Sequence, residues 1–182
     1  WTADRPVVIF NSVLIRPEHT LTIEAGAEIY SGTDSRLFVQ GRLTVNGTTE
    51  RPVRFQGERT EAFYERVPNQ WHGIHLLPGS SGNVIRNAVI RNGVIGLEAD
   101  SLPSFQGDDT LNVFLQNVVI QNMSVAGIVG YTANIYGLNV DVNTCGQFLL
   151  FGQFGGDYRF DHCTFGNAFG FYVRDNPSVF LS

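Results

Sequence analysis

Apolar and polar residues alternate along much of this chain. The clearest runs with this period of two are Leu21-Thr-Ile23, Leu37-Phe-Val39, Leu43-Thr-Val45 and Val53-Arg-Phe55. Such alternation is typical of β-strands that bury one face, whereas amphipathic helical runs are hard to find. The pattern therefore predicts an all-β protein.

A glycine followed by an apolar residue returns along the chain. The copies are Gly73-Ile74, Gly96-Leu97, Gly127-Ile128 and Gly170-Phe171, with spacings of 23, 31 and 43 residues, and Gly146-Gln147-Phe148 is a degenerate copy. Repeats of this size indicate a stacked array of similar units.

A second column of strand-like runs is in phase with the first. These runs begin at Asn87, Asn117, Asn139 and His162 and end at Asn or Thr. Asparagine tolerates left-handed backbone, and its amide can pair with the same group in the next coil. The two columns predict a single-domain, right-handed, single-stranded parallel β-helix of about five to seven coils.

Several segments depart from the repeat. Residues 1–20 are expected to hold an N-terminal cap, around Pro6 to Arg16, and the first strand. Residues 56–70 and 101–111 are loop excursions, expected to wall a groove over one sheet. Because an open stack normally needs a cap, the apolar ending Val179-Phe-Leu-Ser182 indicates a C-terminal truncation.

Charge and cysteine content narrow the class of protein. The net charge is −5, and no run of three Lys or Arg residues occurs, so a nucleic-acid partner is not expected. No apolar stretch is long enough for a membrane span, and the start at Trp1 suggests that an upstream segment was removed. Cys163 falls in the inward column of Val140 while Cys145 falls at a corner, so a disulfide is not implied.

The N-terminal half resembles secreted right-handed parallel β-helix proteins of the pectin-lyase-like superfamily, especially cell-surface lipoproteins of Bacteroides-type bacteria. The resemblance rests on Leu21-Thr-Ile-Glu-Ala-Gly-Ala-Glu-Ile29, Leu37-Phe-Val-Gln-Gly-Arg-Leu-Thr-Val-Asn-Gly-Thr48, Pro52-Val-Arg-Phe55 and Trp71-His-Gly-Ile74. It implies a secreted or outer-surface bacterial protein, anchored through a lipid on the removed N-terminal segment.

The enzymes of this superfamily have motifs that this chain lacks. Of the polygalacturonase-like set only Asp108-Asp109 is present, and no column of Asp residues supplies a pectate-lyase-like calcium site. We therefore expect no cofactor, although loop carboxylates and carbonyls that bind calcium would leave little trace in a sequence. Because the scaffold serves lyases, hydrolases, adhesins and stalks alike, function depends on the site residues.

The glycine column assigns the faces of one sheet, since side chains alternate along a strand. The predicted inward residues are Ile74, Leu76, Leu97, Ala99, Ile128, Gly130, Phe148, Leu150, Phe171 and Val173. The predicted outward residues are His75, Leu77, Glu98, Asp100, Val129, Tyr131, Leu149, Phe151, Tyr172 and Arg174. A separate strand, Asp157-Tyr-Arg-Phe-Asp161, predicts a self-neutralised surface with Tyr158 and Phe160 inside.

The outward face is the candidate site. As ligand-binding residues for a glycan we predict His75, Tyr131, Phe151, Tyr172 and Arg174. An outward aromatic strip is also expected where another envelope protein, a second subunit or the rest of the chain makes contact. The leading hypothesis is thus a non-catalytic module that binds glycan or presents a scaffold, and a purely structural segment is an alternative.

A polysaccharide lyase or glycoside hydrolase is the catalytic alternative. Its candidate residues are Glu98, Asp100, Asp108 and Asp109. Glu98 and Asp100 stand about 7 Å apart by strand rise, close to the carboxylate separations of glycosidases, but alternating exposed acids often give this spacing. His72 and His75 fall on opposite faces of a strand, which argues against a shared metal.

Overall fold

The structure is a computed structural model that describes residues 1–101, 110–167 and 178–182. These ranges contain 17 strands and one 3-10 helix, Ala62–Arg66. The first nine strands are β1 (Val7–Ile9), β2 (Val13–Ile15), β3 (Thr20–Glu24), β4 (Glu28–Ser31), β5 (Arg36–Val39), β6 (Arg42–Asn46), β7 (Val53–Gly57), β8 (Gly73–Leu76) and β9 (Asn83–Arg91). The others are β10 (Ile95–Asp100), β11 (Val113–Met123), β12 (Ala126–Tyr131), β13 (Ile135–Cys145), β14 (Phe148–Gln153), β15 (Tyr158–Asp161), β16 (Thr164–Gly166) and β17 (Ser178–Leu181).

The strands form two parallel sheets. One has ten strands, with the path β1-β4-β7-β9-β11-β13-β15 and with β3, β6 and β16 beside it. The other has seven strands in the order β17-β14-β12-β10-β8-β5-β2. The chain passes from one sheet to the other and back, so each strand lies beside its equivalent in the next turn. The predicted all-β parallel solenoid is confirmed, while its handedness stays a prediction.

Asparagine marks the bends within the long strands. Asn87, Asn117 and Asn139 all have positive φ, between 47° and 55°. Their amides form the predicted ladder, because Asn139 Nδ2 donates to Asn117 Oδ1 at 2.8 Å and Asn117 Nδ2 donates to Asn87 Oδ1 at 3.0 Å. His162 takes the same left-handed conformation in the next coil, with φ of 55°.

A further asparagine column, which the sequence analysis did not identify, closes another corner. Asn83, Asn112 and Asn134 accept backbone N–H bonds from Leu43, from Asn134 and from Asp157, respectively. Two of these side chains are buried, where an unpaired amide would be costly. Each side chain thus ties its coil to a neighbouring one.

The core lies between the sheets and consists of stacked aliphatic columns. Ile74, Leu97, Ile128 and Leu150 are paired in register on the seven-stranded sheet, and each is at most 2 % exposed. Val53, Ala88, Val118 and Val140 form an equivalent column on the other sheet. Burial of this apolar surface between neighbouring coils is the main stabilising term of the fold.

The seven-stranded sheet contains an irregularity that corrects two predicted orientations. Strands β12 and β14 pair Ala126 with Phe148 and Ile128 with Leu150, and a side chain on the intervening Gly127 would collide with Val142 in the core. Leu149, between Phe148 and Leu150 on β14, faces the core and is 5 % exposed. Its predicted outward orientation is therefore wrong. Phe148 was predicted inward, but it is only partly buried and contacts the ring of Phe151.

The two cysteines are free thiols. Cys163 accepts a hydrogen bond from Val140 N at 3.3 Å, which agrees with its predicted column. Cys145 is fully buried at the end of β13, and burial raises the pKa of its thiol to about 12.

Two predicted peripheral segments are part of the described structure. The expected cap region contains β1 and β2, which pair in parallel with β4 and β5 and so form the outermost strand of each sheet. The segment 58–69, which we call the strap, contains the 3-10 helix, and Asn92 Nδ2 on the ten-stranded sheet donates to the backbone carbonyls of Tyr64 and Glu65. The strap therefore walls a cleft on the ten-stranded sheet, instead of the groove over the seven-stranded sheet that the sequence predicts.

Among the described residues, no helix combines the length and the apolar character that a membrane span requires.

Candidate functional site

The outward face of the seven-stranded sheet presents one continuous row of side chains. In-register pairing places Leu14, Phe38, His75, Glu98, Val129, Phe151 and Phe180 side by side. A second row, offset by two residues, contains Asp100, Tyr131 and Gln153. The face therefore changes from charged on β8 and β10 to aromatic on β12, β14 and β17.

Its charged part is a cluster of four side chains, Arg36, His75, Glu98 and Asp100, which we call the polar cluster. Arg36 Nη1 lies 3.2 Å from both Glu98 Oε2 and His75 Nδ1. His75 Nε2 lies 2.7 Å from Asp100 Oδ2. These four side chains are only 12–25 % exposed, so the attraction between Arg36 and Glu98 is screened less by water than that of a surface pair.

Glycine at position 73 on β8 lies beside the Arg36 side chain, which extends from β5 to Glu98 on β10. Arg36 is paired with Gly73, which carries no side chain, and the guanidinium reaches across this strand to Glu98. Gly73 has φ of 105°, and a side chain there would collide with the backbone of Ile95. The local conformation thus both requires glycine and leaves a path across the strand.

The network defines the hydrogen-bonding roles of the imidazole. A guanidinium can only donate, so His75 Nδ1 accepts from Arg36. The ring proton is then on Nε2, which donates to Asp100 Oδ2. Within the described residues the other oxygen of Asp100, Oδ1, is buried without a hydrogen-bond partner.

Among the described residues of this face, His75, Glu98 and Asp100 form the group that could bind a cation. One ligand atom from each lies within 4.8 Å of the others. However, Asp100 faces Nε2 of the ring while Glu98 faces Nδ1, 3.8 Å away, and Arg36 lies between the ring and Glu98. As arranged, the polar cluster is an internally paired ionic network, and His72 does not belong to it.

The aromatic part begins next to the polar cluster. Tyr131 contacts Phe151 and Phe154 at ring-centroid distances of 6.1 and 6.2 Å, and Phe151 stacks on Phe180 at 5.2 Å. Phe154 is 70 % exposed, so this ring stands out from the surface. We call Tyr131, Phe151, Phe154 and Phe180 the aromatic platform.

The two parts are electrostatically coupled. The pKa of the Tyr131 hydroxyl is raised, first because the group is partly desolvated and then because the carboxylates of Glu98 and Asp100 are nearby. The Tyr131 hydroxyl therefore stays protonated near the carboxylates of Glu98 and Asp100 and can donate a hydrogen bond.

The structure places the predicted site residues as follows. Five predicted residues lie on the predicted outward face: His75, Glu98, Asp100, Tyr131 and Phe151. Phe151 is paired with Val129, and Tyr131 is paired with Gln153. The predictions that fall outside the described residues are those for Asp108, Asp109, Phe171, Tyr172, Val173 and Arg174, together with most of the excursion 101–111.

Val129 was also expected on the outside. It is only 4 % exposed although it is not part of the core, because Glu98 and Phe151 flank it on the neighbouring strands.

Four residues of this face were not predicted from the sequence as site residues: Arg36, Phe38, Phe154 and Phe180. The alternation of Arg36-Leu-Phe-Val39 already placed the first two residues opposite the buried Leu37, so the outward row could have been extended to β5. Phe154 has φ of 65° just after β14, and no pattern in the sequence marks that turn.

Comparisons of this chain with protein-family models, with curated proteins and with solved structures give no match.

Proposed function

We propose that this protein is a non-catalytic carbohydrate-binding module whose binding face is the outward surface of the seven-stranded sheet. The observation that carries the proposal is the junction of the polar cluster with the aromatic platform on one rigid sheet. Glycans combine apolar ring faces, which pack on aromatic rings, with hydroxyls that need hydrogen-bonding partners. This junction offers both within neighbouring strands.

The aromatic platform has the accessibility that a ligand needs. Phe154 and Phe180 are 70 % and 42 % exposed, whereas aromatic rings are normally buried in a monomeric domain. Clustered exposed apolar side chains with a polar border are typical of binding surfaces. Because parallel strands hold the rings of Tyr131, Phe151 and Phe180, little conformational entropy would be lost on binding.

The pairing within the polar cluster favours binding over catalysis. A glycosidase requires two carboxyl groups available to the substrate, one as acid and one as base or nucleophile. Here Glu98 is held by Arg36 and Asp100 by His75. Such paired acids can still accept hydrogen bonds from sugar hydroxyls through their remaining lone pairs.

The test is binding to a broad panel of immobilised glycans by the wild type and four single variants. Tyr131→Ala and Phe154→Ala should each weaken binding about tenfold, which corresponds to ~1.4 kcal/mol. The matched controls are Tyr136→Ala, on the outward face of the ten-stranded sheet, and Phe63→Ala, whose ring on the strap is 73 % exposed. These controls should bind like the wild type.

Three results would overturn the proposal. The first is that no glycan in the panel binds, and the second is that the controls lose as much affinity as the platform variants. The third is turnover, detected as released reducing ends or unsaturated sugar ends, which would support a hydrolase or a lyase instead. Circular dichroism and thermal melting of every variant separate lost binding from lost folding.

A further inference from the structure

A second site lies on the ten-stranded sheet, away from the proposed glycan face. It is a cleft of about 360 Å³ between the strap and the outward surface of β4, β7 and β9. Its floor and walls are polar. The lining includes the acidic residues Glu28 and Glu65, the arginines Arg54, Arg59 and Arg91, and the neutral residues Tyr30 and Gln56.

The floor is built by strand register. Glu28 is paired with Arg54, and Tyr30 is paired with Gln56, on β4 and β7. Arg91 follows Ile90, the partner of Phe55, and therefore stands beside Gln56. Strand pairing thus brings these side chains to one patch, and the strap closes one side of it.

The strap is anchored and so can serve as a wall. Gln70 is buried, and its Nε2 donates to the carbonyls of Tyr64 and Val67 at 2.8 and 2.7 Å. Asn92 holds the strap from below through two further bonds. Arg59 and Thr60, at the start of the strap, therefore face the cleft.

Arg91 is the informative residue of this cleft. Its Nε and Nη2 both donate to Gln56 Oε1, at 2.8 and 2.6 Å. Gln56 is 8 % exposed and neutral, so it fixes the guanidinium in place without neutralising it. Among residues 1–101, 110–167 and 178–182, no carboxylate lies within ion-pair distance of Arg91.

Two acidic residues line the cleft, Glu28 and Glu65, and among the described residues neither forms an ion pair with Arg91. One oxygen of Glu28 accepts a 2.7 Å bond from the Tyr30 hydroxyl, and the other lies 4.0 Å from Arg54. Arg59 is paired with Glu61 on the strap itself. The arginines Arg54, Arg59 and Arg91 thus outnumber the two carboxylates of the cleft, and Arg91 is a partly buried, oriented cation without an ion-pair partner among the described residues.

We propose that this cleft binds a small oxyanion, either a free sulfate or phosphate or a carboxylate on a small molecule, with Arg91 as the primary contact. Charge-assisted bonds from a guanidinium to an oxyanion are short and strong, and the planar fork suits the geometry of these groups. A rigidly held arginine loses little side-chain entropy when it binds an anion. The volume suffices for a ligand of monosaccharide size.

The test is an NMR or calorimetric titration of the whole chain with sulfate, phosphate and acetate, at an ionic strength kept constant with chloride. We expect saturable binding with a dissociation constant on the order of 1 mM. Arg91→Gln should weaken it by about tenfold or more, the usual effect of losing a hydrogen bond to a charged group. The matched control is Arg66→Gln, which removes the same charge from an exposed strap residue that does not line the cleft.

Two more variants keep the test decisive if Arg91→Gln disturbs Gln56. Arg54→Gln leaves the Gln56 contact intact and should weaken binding severalfold, while Glu28→Gln removes a competing negative charge and should strengthen it. The proposal is wrong if the wild type shows no saturable binding, or if Arg66→Gln loses as much affinity as Arg91→Gln.

Stronger binding of sulfate and phosphate than of acetate would identify free inorganic anions as the source, and the reverse order would identify a carboxylate. Tyr131→Ala should leave this binding unchanged, which separates it from the proposed glycan site.

Discussion

Tyr131 and Tyr136 are outward-facing tyrosines on the two sheets of one solenoid, and their surroundings differ. Tyr136 donates to Asp161 at 3.0 Å, its ring is covered by the Arg159 guanidinium at 4.9 Å, and it contacts Phe114. Tyr131 packs against aromatic rings, and its hydroxyl has no hydrogen-bond partner among the described side chains. The same residue type on the same scaffold is satisfied internally on one face, whereas on the other face the described side chains leave its hydroxyl without a partner.

The comparison separates an internally satisfied surface from the surface that we propose binds glycan. On the ten-stranded sheet, Arg159 and Asp161 on β15 complete the partners of Tyr136, as the self-neutralised strand in the sequence predicts. On the seven-stranded sheet, the charged groups are paired with one another and the rings are paired with rings. Polar and apolar side chains thus lie side by side on this face, which is the arrangement that the proposed glycan ligand would use.

The largest expected effect is on the support beneath the aromatic platform. Gly130 faces inward next to Tyr131, and a Cβ atom there would lie 2.6 Å from the Tyr158 hydroxyl. Gly130→Val should therefore lower the free energy of unfolding by about 1–3 kcal/mol through overpacking. Urea denaturation measures the change, and glycan binding should fall with it because Tyr131 is displaced.

Gly166→Val is the matched control for this change. Gly166 lies on β16 of the ten-stranded sheet, and among the described residues the atom nearest to a Cβ there would be Thr164 Cγ2 at 3.9 Å, an ordinary contact distance. It should cost much less stability. A Tyr158→Phe change should recover part of the loss in Gly130→Val, since the hydroxyl is the closest atom. Equal stability of Gly130→Val and the wild type would contradict the overpacking argument.

A smaller effect distinguishes the ion pairs of the two faces. Arg36 and Glu98 are 21 % and 15 % exposed, whereas Arg159 and Asp161 are 66 % and 37 % exposed. A double-mutant cycle with Arg36→Met and Glu98→Gln should give a coupling of about 1 kcal/mol, which persists in high salt because burial limits screening.

The parallel cycle with Arg159→Met and Asp161→Asn should show a weaker coupling that salt removes. The comparison would fail if the exposed pair were coupled as strongly as the Arg36–Glu98 pair, since its N–O distance is in fact shorter, 2.9 against 3.2 Å. Burial, and not distance, is the quantity under test.

Much of the fold could be predicted from the sequence because its rules are local. Alternation defines the strands, and the left-handed asparagines at positions 87, 117 and 139 define one corner of successive coils. Stacking then follows from repetition, since each coil contacts chiefly its neighbours.

The rest depended on long-range geometry. Leu149 faces the core beside Gly127, where a side chain on the glycine itself would collide with Val142 of the other sheet. Likewise, the strap lies on the ten-stranded sheet because of hydrogen bonds between distant residues such as Asn92 and Tyr64. The polar cluster joins three strands, of which the sequence pattern aligns only two, and so Arg36 was missed.

The smallest expected effect concerns the ionisation of the two tyrosines. Both phenol pKa values are raised, but for Tyr136 the largest cause is the hydrogen bond to Asp161, and for Tyr131 it is burial, ahead of Glu98 and Asp100. A carboxylate disfavours a phenolate, so its replacement by an amide lowers the phenol pKa. Asp161→Asn should therefore lower the pKa of Tyr136, and Glu98→Gln should lower that of Tyr131 by less, because burial remains.

Ring-carbon NMR across an alkaline titration resolves both groups, and each variant serves as the control for the other tyrosine. A larger fall at Tyr131 than at Tyr136 would mean that charge, and not desolvation, governs the aromatic platform, and a glycan with a cationic group would then be the better ligand for this face.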